Sequence, residues 1–244
     1  MLWYKAWQES QTRFLLSALT IAALCVAFVL FHSDGARIFD GSPSYLEYIW
    51  GIVYKGYLRE LFLLLILLLG VGGLLRERDF GTAGFTLALP VSRLHLVSVR
   101  AAVGLVQVAV LSFLPALVIP ALSPLIGQFY PWTQALQFAL LWTVGGALVF
   151  TIALLASSIF GGEYTSPVVA LLGLLLYSVI GDFPFFEHYS LDIHDIMSGA
   201  GMPYFQSNGA LLIGPLPWDA LAVILLIVFG LVALSCGITR YRDF

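Results

Sequence analysis

The chain has 244 residues, of which 60% are hydrophobic and only 10% are charged, and its mean hydropathy is +0.96. A soluble domain carries about a quarter charged residues, so this composition excludes an ordinary water-soluble globular protein. The formal net charge of −3 says little about partners. Apolar residues come in long unbroken runs instead of alternating with polar ones, which predicts an all-α, polytopic integral membrane protein.

The first thirteen residues predict an amphipathic helix. Trp3, Trp7, Ser10 and Phe14 recur at helical spacing, and charged residues occupy the other positions around the helical wheel. Because tryptophan favours the headgroup region, residues 1–13 are expected to lie in the inner membrane interface. The alternative is a simple cytoplasmic extension of the first span.

Six apolar segments approach the length of about 20 residues that a membrane-spanning helix needs. They cover residues 14–31, 58–75, 96–120, 134–160, 167–181 and 218–239. The second and fifth are short, so we expect their ends to extend into flanking residues such as Tyr54 and Tyr57. No linker divides the chain, which predicts one transmembrane domain over residues 1–244.

The placement of lysine and arginine predicts the orientation of the spans, since cytoplasmic loops are rich in both. With both termini inside, three basic residues lie outside, Arg37, Lys55 and Arg59. The inner side then holds eight, which are Lys5, Arg13, Arg76, Arg78, Arg93, Arg100, Arg240 and Arg242. We therefore expect cytoplasmic termini in a plasma membrane, the inner membrane of a bacterium.

The two longer outer connections are not ordinary polar loops. After the first span, the tyrosine-rich stretch YLEYIWGIVYKGY predicts an interfacial or outward helix. Arg59 and Glu60 then mark the outer end of the second span, where they can remain hydrated. Residues 182–217, rich in aromatic residues, glycine and proline, predict a lid or partly re-entrant element before the last span.

Histidines and acids gather in this last outer connection. Imidazole and carboxylate groups can coordinate zinc. However, His188, Asp192, His194 and Asp195 show no recognised metal spacing, and ordinary solvated loop residues explain them equally well. We predict no metal site.

The polar residues inside the spans are neutral. Gln107, Thr143 and Thr151 are weak candidates for lining a substrate path, and helix packing is the alternative. Glycines such as Gly70, Gly145 and Gly146 are expected to let helices approach closely. With no carboxylate clearly at mid-membrane, an ion-coupled carrier is disfavoured.

Motifs for enzymatic chemistry are absent from the sequence. Neither a Gly-x-Ser-x-Gly elbow nor a His-Glu-x-x-His helix occurs. A P-loop needs Gly-Lys-Ser/Thr, and the only lysines, Lys5 and Lys55, precede Ala6 and Gly56. We therefore expect no enzymatic activity and no cofactor bound by this chain, so any nucleotide energy must come from another polypeptide.

The densest charge cluster, Arg76-Glu77-Arg78-Asp79, follows the second span directly. Gly81-Thr82, a short apolar segment and Leu89-Pro90-Val91-Ser92-Arg93 come next. This pattern resembles the first cytoplasmic loop of the membrane subunit of type-2 ABC exporters. The resemblance extends to the general plan of an interfacial helix, six spans and a large outer connection before the last span.

The resemblance implies that residues 76–93 form a short cytoplasmic coupling helix that docks on a separate ABC ATPase. Asp79 or Thr82 can cap such a helix, Pro90 would end it, and Phe85 with Leu89 would form one apolar ridge. The candidate coupling residues are Glu77, Arg78, Asp79, Gly81, Thr82, Phe85, Thr86, Leu89, Pro90 and Arg93.

The implied complex contains two ATPase subunits, which hold ATP and magnesium, and a second permease copy or homologue. Such a complex would export its substrate through a path formed by the permease dimer. Membrane lipid is the other expected partner, and no nucleic acid is expected. The main alternative is a scaffold or assembly protein that binds a cytoplasmic partner through this loop without transporting anything.

Overall fold

The computed structural model describes residues 2–32, 44–71, 93–160, 165–181, 192–199, 205–206, 211–212 and 214–241. Within these ranges the chain is almost entirely helical. The helices are α1 (Leu2–Leu30), α2 (Tyr45–Ile49), α3 (Tyr57–Gly70), α4 (Arg93–Leu122), α5 (Trp132–Ile159), α6 (Thr165–Gly181), α7 (Ile193–Ser198) and α8 (Trp218–Tyr241). A π-helical turn (Trp50–Tyr54) follows α2, and a 3₁₀ turn (Ser123–Ile126) follows α4.

One antiparallel strand pair interrupts the helical pattern. Strands β1 (Phe205–Gln206) and β2 (Leu211–Leu212) place Phe205 opposite Leu212 and Gln206 opposite Leu211. Both lie in the connection before α8. Two-residue strands add little core of their own, so the fold class remains all-helical, as the sequence predicted.

In the described part of the chain, four helices are long and apolar enough to cross a membrane: α1, α4 with its following 3₁₀ turn, α5 and α8. They indicate a membrane-embedded protein. The other two predicted spans are helical too, but α3 has 14 residues and α6 has 17. Their lengths of about 21 and 26 Å fall short of a hydrocarbon core of about 30 Å. A count of six spans therefore stays a prediction.

The N-terminal segment is not a separate interfacial helix. Instead, α1 runs without a break through 29 residues, from Leu2 to Leu30. No glycine or proline occurs within it, so nothing in the sequence ends the helix after residue 13. The alternative, an extension of the first span, describes the structure. Trp3 and Tyr4 are exposed on this extension.

Helix α5 is the centre of the bundle. It contacts α3, α4, α6, α7 and α8. In its most apolar stretch 72% of the residues are buried, against 28% in α1 and in α8. The largest fully buried side chain of the described residues, Trp142, lies in this helix. The core of the protein is therefore built around α5, against which these five helices pack.

Glycines set the spacing between α5 and its neighbours, as the sequence predicted. A Cβ atom on Gly70, at the end of α3, would lie 2.7 Å from both the Cβ of Ala153 and the carbonyl oxygen of Phe150. One on Gly146 would lie 2.9 Å from Val108 and 3.1 Å from Phe62. Both positions need glycine because the neighbouring helices approach too closely for a side chain.

The tyrosine-rich segment before α3 packs into the bundle. Ser44 and Glu47 form a capping box at the start of α2. At the end of the π-helical turn, the buried Tyr54 stacks on Phe138, with ring centroids 3.9 Å apart. A break at Lys55–Gly56 separates this turn from α3. The expected extension of the second span therefore includes Tyr57 but not Tyr54.

We predict that Gly70→Ala will destabilise the bundle by about 1–3 kcal/mol, because the added methyl group must push α3 away from the backbone of α5. Thermal unfolding in detergent, followed by circular dichroism, measures this loss. Gly230→Ala in α8 is the matched control, because a Cβ there meets no described atom within 4 Å. Equal unfolding midpoints for the two variants would show that Gly70 does not set the spacing.

Candidate functional site

Most of the predicted coupling residues lie in residues 72–92, outside the described part of the chain. They are Glu77, Arg78, Asp79, Gly81, Thr82, Phe85, Thr86, Leu89 and Pro90. Arg93 is the first residue of α4, where only its backbone is described. The structure does describe both ends of the segment, where α3 stops at Gly70 and α4 begins. We call these two helix ends the stem.

The N-terminal part of α1 lies against the stem, and Arg13 contacts the end of α3. Its Nη1 donates hydrogen bonds to the carbonyl oxygens of Leu68, at 3.1 Å, and Val71. The last carbonyls of a helix have no partner within the helix, and a cation there also interacts favourably with the helix dipole. Arg13 therefore caps α3 where the chain leaves it.

Glu9 connects the same part of α1 to α4. One of its carboxylate oxygens lies 3.4 Å from Arg100 Nη2, and the other lies 3.5 Å from Lys5 Nζ. All three side chains are partly exposed, so each ion pair contributes about 0–1 kcal/mol at most. These pairs orient α1 more than they stabilise it.

Ser10 and Gln107 form a more buried contact between α1 and α4. Gln107 Nε2 donates to Ser10 Oγ at 2.8 Å, and Ser10 Oγ donates to the Ala6 carbonyl at 3.0 Å. Gln107 is only 1% exposed, and its Oε1 is buried without a hydrogen-bond partner. Gln107, at the middle of α4, thus lies at the junction of α1 with the end of α3.

A small cavity of about 20 Å³ lies in this junction, large enough for a water molecule. Its polar lining brings together side chains of α1 and α4, and its apolar lining comes from the end of α3 and from α5. The lining residues are Glu9, Ser10, Arg13, Leu69, Gly70, Arg100, Gly104, Gln107, Phe150 and Leu154. Four helices therefore meet at the stem.

The two threonines proposed for a substrate path make hydrogen bonds within α5. Thr143 Oγ1 donates to the Ala139 carbonyl at 2.7 Å. The hydroxyl of Thr151, which is fully buried, lies 3.0 Å from the Ala147 carbonyl. These contacts match the packing interpretation, and a role in lining a path stays a prediction.

A second polar cluster joins the start of α3 to α7. Arg59 Nη2 lies 2.6 Å from Glu60 Oε1, and Arg59 Nη1 donates to the His194 carbonyl at 3.1 Å. His194 Nδ1 lies 3.6 Å from the same Glu60 oxygen. The two parts of this cluster are far apart in the chain, and no spacing pattern in the sequence connects them.

Asp195 lies beside this cluster, and burial together with the neighbouring Asp192 raises the pKa of its carboxyl group above the ordinary value.

Within the described ranges, no group of three or more histidine, cysteine, aspartate or glutamate side chains could hold a metal ion. His188, the remaining member of the zinc hypothesis, lies outside those ranges.

Comparison of the sequence with protein-family models gives no match, and comparison with curated proteins gives none either. The case for a function therefore depends on the residues and their geometry.

We predict that Arg13→Gln will destabilise the protein by about 1–3 kcal/mol, because the terminal carbonyls of α3 lose a charged donor. Arg13→Lys keeps the charge but not the planar fork of donors, so it should lose less than half as much. Thermal unfolding in detergent compares the two variants. An unchanged midpoint for Arg13→Gln would contradict the capping role.

Proposed function

We propose that this chain is the membrane subunit of a type-2 ABC exporter, in which residues 76–93 bind a separate cytoplasmic ATPase. The observation that carries the proposal is the sequence pattern Gly81-Thr82 followed by Leu89-Pro90-Val91-Ser92-Arg93, placed between α3 and α4. A short segment between two core helices is a suitable place for a partner to act on the bundle.

The contacts around the stem support this proposal. Arg13 holds the end of α3, while Glu9 and Gln107 hold α4, so both sides of the segment are fixed to α1. Both α3 and α4 also pack on the central helix α5. A force that residues 76–93 pass to either helix would therefore act on packed elements of the bundle.

The distribution of charge supports a cytoplasmic stem. Lys5, Arg13 and Arg100 gather at the stem, whereas Lys55 and Arg59 lie before or at the start of α3, at its opposite end. Lysine and arginine favour the cytoplasmic side of a membrane. In the proposed orientation the stem faces the cytoplasm and its ATPase, and the α7 side of α3 faces outward.

In this proposal the energy comes entirely from the partner. Two ATPase subunits bind ATP and magnesium, and two permease subunits, identical or homologous, form the path between them. ATP-driven closure of the ATPases would push on the coupling segments and switch access between the two sides of the membrane. An amphipathic or lipid-like cargo fits the neutral, apolar helices better than a small ion.

We predict that Phe85→Asp and Leu89→Asp will each abolish stable binding of the ATPase, because a carboxylate replaces the apolar ridge that docks. The test first determines whether a neighbouring gene encodes a P-loop ATPase, then co-expresses the chain with that ATPase and measures co-purification and ATP-dependent transport in vesicles. Ala83→Asp is the charge-matched control, since helical spacing places residue 83 on the face opposite the ridge. It should retain the complex.

The outcomes separate the candidate functions. Intact binding and transport in both ridge variants would refute the coupling assignment. A complex that depends on Phe85 and Leu89 but drives no ATP-dependent transport would refute the exporter and favour the scaffold.

A further inference from the structure

Helix α7 is capped at both ends and packs against the bundle. Asp192 caps its start by accepting a hydrogen bond from the His194 amide at 2.9 Å, and Gly199 ends it with a φ of +73°. Ile193 and Met197 are fully buried, and a Cβ atom on Gly145 of α5 would lie 2.6 Å from Met197 Cγ. The short helix is therefore docked by close packing.

Helix α7 docks near the middle of α5. Gly145 is 13 residues after the start of that helix, which corresponds to about 20 Å along its axis. Trp50, in the π-helical turn, donates from Nε1 to the Ser198 carbonyl at 2.8 Å and holds the other end of α7. Residues 193–198 thus enter the bundle beside the middle of α5, as a partly re-entrant element would.

The contact between α7 and α3 is polar. Arg59 is only 12% exposed, and its guanidinium binds both the Glu60 carboxylate and the His194 carbonyl. His194 Nδ1 is buried and makes no hydrogen bond, although it lies 3.6 Å from Glu60 Oε1. A neutral imidazole gains little at that distance, whereas an imidazolium would form an ion pair with the carboxylate.

Charged and titratable groups from several elements surround His194. Among the described residues, they comprise three carboxylates, two basic side chains and one phenol. These are Glu60, Asp192, Asp195, Arg59, Lys55 and Tyr177. Arg59 is itself paired with Glu60.

We infer that protonation of His194 locks α7 onto the start of α3 through an ion pair with Glu60. Histidine is the side chain that ordinarily changes its charge between about pH 5 and 8. The helix is therefore held more tightly below this range than above it. The lock itself does not depend on the proposed function. Only its consequence rests on that function, namely that the outward side of the permease would respond to external pH.

Hydrogen exchange of the full-length chain in lipid nanodiscs tests the lock. Protection of the amides of Ile193–Ser198 is measured at pH 6 and pH 8, always for wild type against a variant at the same pH. This comparison cancels the intrinsic pH dependence of exchange. We expect wild type to be about threefold more protected than His194→Gln at pH 6 and equal to it at pH 8, which corresponds to a partly exposed ion pair.

Two further variants make the result specific. The protection of wild type relative to Glu60→Gln should also be greater at pH 6 than at pH 8, even if this variant loosens α7 at both pH values. His32→Gln changes a histidine that packs against Tyr45 and Tyr48, so the protection of wild type relative to it should be the same at both pH values. If the protection of wild type relative to His194→Gln or to Glu60→Gln did not change between pH 6 and pH 8, the lock would be overturned.

The readout needs neither the ATPase nor transport. A lock that responds to pH in a chain that binds no ATPase would leave this inference standing and remove the exporter. An ATPase complex formed by a chain whose α7 shows no pH-dependent protection would leave the exporter standing and overturn this inference.

Discussion

Close packing around α5 is the constraint on which the other features of the structure depend. Gly145 and Gly146 are adjacent, yet they face different neighbours, because successive residues of a helix differ by about 100° in direction. Gly145 admits α7, and Gly146 admits α3 and α4. The hydroxyls of Thr143 and Thr151 bond to carbonyls of α5 itself, so these side chains need no water or neighbour.

Helix α3 is short, and polar contacts hold it at both ends. At its C-terminus Arg13 binds the terminal carbonyls, and at its N-terminus Arg59 and Glu60 meet His194 of α7. One helix of about 21 Å therefore lies between the two polar clusters. Within the proposed function, this rigid element connects the segment where the ATPase acts to the element that would close the outward side.

The sequence predicted much of this architecture, because long apolar runs and small residues leave strong patterns. Each of the six apolar segments contains a helix among the described residues, and Gly70, Gly145 and Gly146 lie where helices approach closely. The boundary after residue 13 was wrong, since amphipathic spacing alone does not break a helix that lacks glycine and proline. The pairing of Glu60 with His194 was not predictable, because it depends on how deep α7 enters, which local pattern does not encode. The coupling residues before Arg93 lie outside the described residues, so their prediction stays untested.

The position of this pair changes one functional argument. An ion-coupled carrier was disfavoured because no acid lay clearly within a span, but Glu60 and His194 lie beside the residues that pack on the middle of α5. A buried charge at such a level is costly unless it is paired. Arg59 meets that requirement through Glu60. Carboxylate and imidazole are also groups that proton-coupled carriers use, so charge placement no longer separates the two classes. What favours the exporter is the pattern from Gly81 to Arg93, which resembles a loop that docks on an ATPase. A carrier powered by protons alone needs no such partner.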